Sequence, residues 1–347
     1  MLHRKRLTAL GAGLLAIAIL YSAAWFGVSL LMLRAAEHWI ETQRQHGAVI
    51  TYGEPTFSGF PMRPVIAFPD VSAALPKAEG GWAWNTARIR LSVSWSLNDL
   101  TFDMSGAHAF TGPWPQGIAT LNITAPTATA RLHINDTGDL DATHVNSEGV
   151  SIAWTGQEPL LKMDRLSLDV AMTDSPQLVS KIIFETDNVM LPDVVPTPMS
   201  RTIRRIRLTT EIQGPLNKGP LPRVLESWRT AGGDLEIRDI YLDWEPLTAS
   251  GTGTAALDDA LQPMGAFTFK FTGFFAAVDA LKTQGLVTPS NASLAKIVLG
   301  FLAKAPAGGG APELSLALTI QDRKLMAGPA PLMEMPEISW PANVVMP

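Results

Sequence analysis

The side chains best suited to chemistry are concentrated near the middle of the chain: His133, Asp136, Asp139, Asp141, His144 and Glu148. Imidazole together with carboxylate could hold a transition metal, and the carboxylates alone could hold calcium. The spacing matches neither the EF-hand loop nor two histidines one turn apart on a helix. Asn135-Asp136-Thr137-Gly138 has the composition of a tight turn, so we read a hairpin tip with Asp139 and Asp141 on a solvated strand. No metal and no cofactor are expected.

Arg201, Arg204, Arg205 and Arg207 form the one dense basic patch, able in principle to meet phosphate or an acidic partner. The plainer reading is a solvated face leading into the strand Ile206, Leu208, Thr210. Ser58-Gly59-Phe60-Pro61 invites a search for a nucleophile, but the Gly-x-Ser-x-Gly elbow is absent. A sharp turn with Phe60 as its packed anchor explains it better. Gly308-Gly309-Gly310 lacks the Lys and Ser or Thr of a phosphate loop. No catalytic residue is expected. The unusual asset is tryptophan, ten in all. Trp82, Trp84, Trp95, Trp154 and Trp244 lie in or beside strands and would fill a core. If the sheet instead curls into an open trough, the same five rings would line a site for an acyl chain.

The elements that must position these groups begin with a membrane span. Leu7 to Leu33 is an uncharged run of 27 positions, preceded by His3, Arg4, Lys5 and Arg6. At about 1.5 Å per helical residue it extends roughly 40 Å, enough to cross a hydrocarbon core of about 30 Å with tilt. The basic end places residues 1–6 in the cytoplasm and the bulk of the chain in the periplasm, tethered to the inner membrane by a single pass. A cleaved signal peptide is the rival, with small residues at Ser22-Ala23-Ala24. The apolar run continues past them, however, and favours an uncleaved anchor at 7–33. Residues 34–48 read as a helical stalk closed by Gly47.

From Val49 the period becomes two. Ile89, Leu91, Val93 and Trp95 alternate with polar neighbours, as do Leu166, Leu168 and Val170, and Leu314, Leu316, Leu318 and Ile320. Short turns between such segments argue for antiparallel meanders. Three helices interrupt them: Leu221 to Ala231, Phe275 to Gln284, and Asn291 to Ala305. The last is capped by Asn291 and carries an apolar stripe of Leu294, Ile297, Val298, Phe301 and Leu302. Pro192, Pro196 and Pro198 mark a seam between a β-rich half at 49–195 and a β-rich half with helices at 196–347.

Composition bounds the function. With no cysteine, disulfides, thiolate metal sites and cysteine nucleophiles are excluded. The first 34 residues hold four basic side chains and no acid, so without them the net charge moves from −5 to −9. An acidic exported domain is a poor nucleic-acid binder and is not drawn by charge to anionic headgroups.

Several segments together resemble a known family. They are Trp39, Tyr52 and Ser58-Gly59-Phe60-Pro61; Trp82 and Trp84; Leu100-Thr101-Phe102-Asp103-Met104-Ser105-Gly106; and Trp228 with Ala231-Gly232-Gly233-Asp234-Leu235-Glu236-Ile237. Trp244-Glu245-Pro246-Leu247, Gly253-Thr254-Ala255-Ala256-Leu257-Asp258 and Leu261-Gln262-Pro263-Met264-Gly265 complete the set. Over nearly its whole length the chain resembles an alphaproteobacterial family of membrane-anchored envelope proteins, catalogued as a domain of unknown function. Its C-terminal rhythm is more distantly similar to AsmA-type envelope proteins, whose sheets curl into apolar grooves associated with lipid handling. The resemblance implies a curved antiparallel sheet and a lipid contact, and carries over no catalytic residue.

The expectation is therefore a mainly β (α+β) fold of curved antiparallel sheets with a few packing helices behind one transmembrane helix. Its expected role is non-enzymatic: binding or shielding lipid-like ligands in envelope maintenance. The alternative is an assembly factor that docks other envelope proteins. A hydrolase with an unseen site is the third reading.

Overall fold

The structure, a computed structural model, describes residues 2–75, 81–114, 117–173, 178–193, 197, 199–217, 219–304, 310–340 and 345–346. The chain gathers into two compact units, Met1–Asp139 and Leu140–Pro347, and the fold is mainly antiparallel β, with four helices among the described residues.

The first unit starts with α1 (Leu2–Gln45), a single helix that covers both the anchor and the stalk inferred from sequence. Its stretch from Leu10 is long and apolar enough to cross a membrane, a property shared with signal sequences. The helix stops at Gly47, whose φ of 93° suits only a residue without a side chain, while the Ala48 N–H donates to the Gln43 carbonyl. Arg44 folds back to donate to the Ile50 carbonyl at 2.6 Å and 3.1 Å, which ties the helix end to the first strand.

Eight strands follow: β1 (Val49–Thr51), β2 (Thr56–Ser58), β3 (Val65–Ala74), β4 (Ala83–Val93), β5 (Asp99–Asp103), β6 (Gly106–Trp114), β7 (Gly117–Ala125) and β8 (Thr127–Ile134). β3 pairs with β1 and β2 on one side and β4 on the other. β4 then forks: its Ala83–Thr86 end pairs with β6 and its Arg90–Val93 end with β5. The expected alternation on β4 holds, with Leu91 and Val93 buried and Arg88 and Arg90 outside. These two join Ile66, Phe68, Val71 and Met32 of α1 in one core. The apolar run at 7–33 is therefore divided. Trp25, Ser29 and Met32 are buried in the unit, whereas the large side chains from Leu10 to Leu20 are exposed.

In the second unit β9 (Leu140–Trp154), β10 (Pro159–Met172), β11 (Leu178–Met190), β12 (Thr202–Gln213), β14 (Asp234–Trp244), β15 (Leu247–Leu257), β16 (Pro263–Thr272), β17 (Leu314–Gln321), β18 (Lys324–Ala327) and β19 (Ala330–Glu334) form an unbroken meander, each paired antiparallel with the next. The two-residue strands β13 (Gly219–Pro220) and β20 (Val345–Met346) pair separately. Pro192 lies in the link between β11 and β12, which pair along their length; Pro196 and Pro198 lie outside the described residues, as does most of the Ala307–Ala311 loop.

The three inferred helices are present as α2 (Leu221–Thr230), α3 (Phe274–Thr283) and α4 (Pro289–Leu302). The cap of α4 is Thr288, not Asn291: the Thr288 hydroxyl accepts from the Asn291 N–H at 3.3 Å. Pro289 at the first helical position explains the shift, since it has no N–H to satisfy and a φ already suited to the helix.

Candidate apolar ligand surface

The period-two pattern of the second unit, combined with the strand register, produces a feature that single strands do not show. Val145, Leu168, Phe184, Leu208, Ile240, Gly251, Phe269 and Leu316 lie directly opposite one another across eight consecutive strands. At about 4.8 Å per strand this apolar row runs roughly 34 Å. A second row, Val170, Ile182, Thr210, Ile237, Gly253, Phe267 and Leu318, runs beside it. Every member of the first row is half-buried and none is fully sealed from solvent.

One residue along each strand the character inverts. Asn146, Ser167, Glu185, Arg207, Tyr241, Ser250, Lys270 and Ser315 form the neighbouring row on the opposite face. The inversion survives β14 because the chain bulges around Arg238, where the register shifts between Ile237 and Ile240. The extra residue keeps Ile237 and Ile240 on one face. Ion pairs lace the polar face: Arg207 to Asp239 at 2.6 Å, Arg238 to Glu211 at 2.9 Å, and Asp187 held between Arg205 at 2.8 Å and Arg165. The hydrogen bond from Arg205, reinforced by Arg165, holds the Asp187 carboxyl below the usual carboxylate range despite its partial burial.

Helices close the two ends of the apolar face. At the Gln213–Asp234 end, the Trp228 indole of α2 donates to the Gln213 carbonyl at 2.6 Å. There Trp228, Trp340, Ile212, Leu235 and Leu257 wall a cavity of about 340 Å³. At the Trp244–Leu247 end, α3 starts from Gly273 (φ 75°), where a side chain would strike the Pro246 carbonyl. Between these ends the face is mostly carbon, with hydroxyls such as those of Ser147, Thr186 and Thr210 set into it.

The first unit has its own apolar cavity, about 260 Å³, between α1 and the sheet. Trp39, Ile40, Tyr52, Phe68, Trp84 and Phe102 are among its walls, and its exposed lining is entirely apolar. A smaller cavity of this character, about 150 Å³, stays dry and takes up benzene in another protein. Trp84 stacks on His108 with ring centres 5.8 Å apart and planes within 5°.

The sequence model of a bacterial family described as "uncharacterized protein conserved in bacteria (DUF2125)" matches residues 25–336. The chain belongs to this family. No curated protein and no solved structure matches the chain significantly. The match to the DUF2125 family begins at Trp25, the residue at which α1 enters the core of the first unit.

Within this DUF2125 chain the five tryptophans singled out from sequence are divided between the units, Trp82, Trp84 and Trp95 in the first and Trp154 and Trp244 in the second. Trp84 lines the first cavity. Trp82 stacks on Phe110 at 5.9 Å, Trp95 sits exposed on the β4–β5 turn, Trp154 ends β9, and the Trp244 indole donates to the Ser200 carbonyl at 2.6 Å. Trp39 and Tyr52 in one unit, and Trp228 and Trp340 in the other, line the cavities instead. The signal for Trp228 was its place on a short helix ended by Gly232-Gly233, because a side chain on Gly233 would collide with the indole.

The candidate ligand cluster is dispersed. The His133 Nδ1 meets Asp99 at 2.9 Å, His144 pairs with Asp169, and Glu148 lies opposite Arg165 on β10. Asn135 organises the turn, its side chain accepting from the Thr137 and Asp139 N–H groups at 3.0 Å and 2.9 Å. Among the described residues no three His, Asp or Glu side chains gather as metal ligands. The basic patch is neutralised residue by residue: Arg201 by Asp193, Arg204 by Asp243, Arg205 by Asp187 and Arg207 by Asp239.

Proposed function

We propose that this protein is a non-catalytic lipid-binding protein of the bacterial envelope, held to the inner membrane by α1 with both units in the periplasm. The observation that carries the reading is the apolar row from Val145 to Leu316, backed by a polar, ion-paired face. A row of half-buried apolar side chains about 34 Å long offers an acyl chain a mostly apolar track with few polar groups to desolvate. The two apolar cavities extend the same chemistry, and the similarity to AsmA-type proteins belongs to the same proposal. The row from Val145 to Leu316 is built of aliphatic and aromatic side chains and a glycine, which supports shielding or carriage over turnover. The test is photo-crosslinking of the full chain with a phospholipid bearing a diazirine in its acyl chain. Adducts at Phe184, Leu208, Ile240 or Phe269 are expected; adducts confined to α1 would overturn the reading.

One observation favours the docking alternative. The α4 stripe points outward: Phe301 is 87 % exposed, and Leu294, Ile297, Val298 and Leu302 are exposed with it, while Ala292 is buried and Lys296 reaches Asp279 of α3 at 2.6 Å. Such a face suits another apolar surface. If docking is the role, Ile297→Ser with Phe301→Ser abolishes function while the lipid carried on the sheet is unchanged.

A further inference from the structure

The helix α1 leaves the first unit through an unusual ring of residues. The Trp25 indole donates to the Met62 carbonyl at 2.9 Å, and the Tyr21 hydroxyl donates to the Pro61 carbonyl. Trp25 packs edge-on against Phe60 at 5.6 Å, and Tyr21 against Trp95 at 5.4 Å. Two separate turns, 58–64 and 94–98, are thus fastened to the same turn of helix, Tyr21 to Trp25. Both turns carry apolar side chains at tips where Gly, Asn, Asp or Ser are usual. Met62 is 75 % exposed, and Phe60, Trp95 and Leu97 are exposed beside it. Leu97 is held at φ 62°, a conformation uncomfortable for leucine, while Ser94, Ser96 and Asn98 bond to one another beneath it. The turn therefore holds a strained residue that displays carbon to the outside.

We infer that these two turns form a collar that inserts into the lipid bilayer surface around α1, rather than standing off it. The inference rests on the reading that α1 crosses the membrane. The occupant follows from continuity: the exposed tips adjoin the exposed apolar helix surface that runs from Leu10 through Tyr21 to Phe26. The lengths agree as well. Leu7 to Ala24 spans about 27 Å, the thickness of a hydrocarbon core. From Trp25 onward one face of the helix, with Trp25, Ser29 and Met32, is buried in the unit, while Phe26, Leu30 and Leu31 stay exposed. Aromatic and Met side chains at the interface suit that depth, and Arg63, exposed next to Met62, can reach lipid phosphate. The collar fixes the first unit against the bilayer, so that lipid is within reach of the domain without a flexible stalk.

The chain has no cysteine, so a single one can be placed and labelled uniquely. Full-length Met62→Cys, Leu97→Cys, Leu14→Cys and Thr137→Cys variants, each carrying an environment-sensitive nitrobenzoxadiazole dye, are reconstituted in phosphatidylcholine vesicles. Quenching by aqueous iodide and by shallow doxyl-lipid is then measured. The collar predicts that positions 62 and 97 are shielded from iodide several-fold relative to 137 and are quenched by the shallow lipid probe. Iodide access at 62 and 97 equal to that at 137, with Leu14→Cys lipid-quenched, overturns the collar alone. Failure of lipid quenching at position 14 overturns the transmembrane reading itself. Two positions on separate turns guard against local misfolding of one variant.

Discussion

Phe269 lies directly opposite Gly251 on the neighbouring strand, and its ring occupies the space a side chain at 251 would need: an added Cβ would come within 2.7 Å of the ring and 2.8 Å of the Thr268 carbonyl. Gly253 stands in the same relation to Phe267. The rings lie flat over β15, so the apolar face stays smooth across a strand that contributes almost no side chain of its own. Gly251→Ala is therefore expected to cost about 1–3 kcal/mol, the usual range for overpacking. Chemical denaturation of the variant checks it; an unchanged midpoint would mean the rings are free to lift.

An open apolar face and a sealed core respond differently to charge. If the row from Val145 to Leu316 is open, Leu208→Lys can send its ammonium outward and should cost no more than about 1 kcal/mol. Were Leu208 sealed beneath another layer, the same change would bury an unpaired charge at a cost of several kcal/mol. Thermal unfolding distinguishes the two.

The alternation at 89–93, 166–170 and 314–320 gave the strands, because a half-buried sheet repeats every two residues. Even the bulge left a trace: Leu235 and Ile237 are odd-numbered, Ile240 and Leu242 even, and the phase slips at Arg238. The apolar row itself was hidden, since it depends on which residues face each other across strands far apart in sequence. The α4 stripe was visible as a pattern, but periodicity says which side of a helix is apolar and not what covers it. The roles of the tryptophans were not legible for a related reason: an indole serves stacking, hydrogen bonding or a cavity wall equally well, and only neighbours decide.

The polar face makes a pH prediction. Asp187 is held below its ordinary pKa by Arg205 and Arg165, so its charged form stabilises the fold. That contribution is present above the unfolded carboxylate value of about 3.9 and is lost as the pH falls through the lower folded value. Asp187→Asn should destabilise by about 1 kcal/mol at pH 7, as expected for a partly solvated pair. The gap to the parent should close below about pH 4. A gap independent of pH would assign the loss to packing.

The division of α1 predicts an asymmetry between truncations. Deleting residues 2–20 removes helix whose side chains from Leu10 to Leu20 are exposed, and should leave the units folded. Deleting residues 2–40 removes Trp25, Ser29, Met32 and Ile40 from the first unit and should leave it protease-sensitive. Limited proteolysis with circular dichroism reads both. Equal protease resistance in the two truncations would show that α1 adds nothing to the core.

The most direct measurement of the central claim is the amount of phospholipid, by extraction and mass spectrometry, that co-purifies with the full chain compared with a Phe184→Lys/Leu208→Lys variant. Both proteins carry the same α1, so lipid clinging to the helix cancels. We predict that the folded variant retains less than half of the parent's lipid. Equal lipid on parent and variant would contradict the assignment of the apolar row as the binding surface.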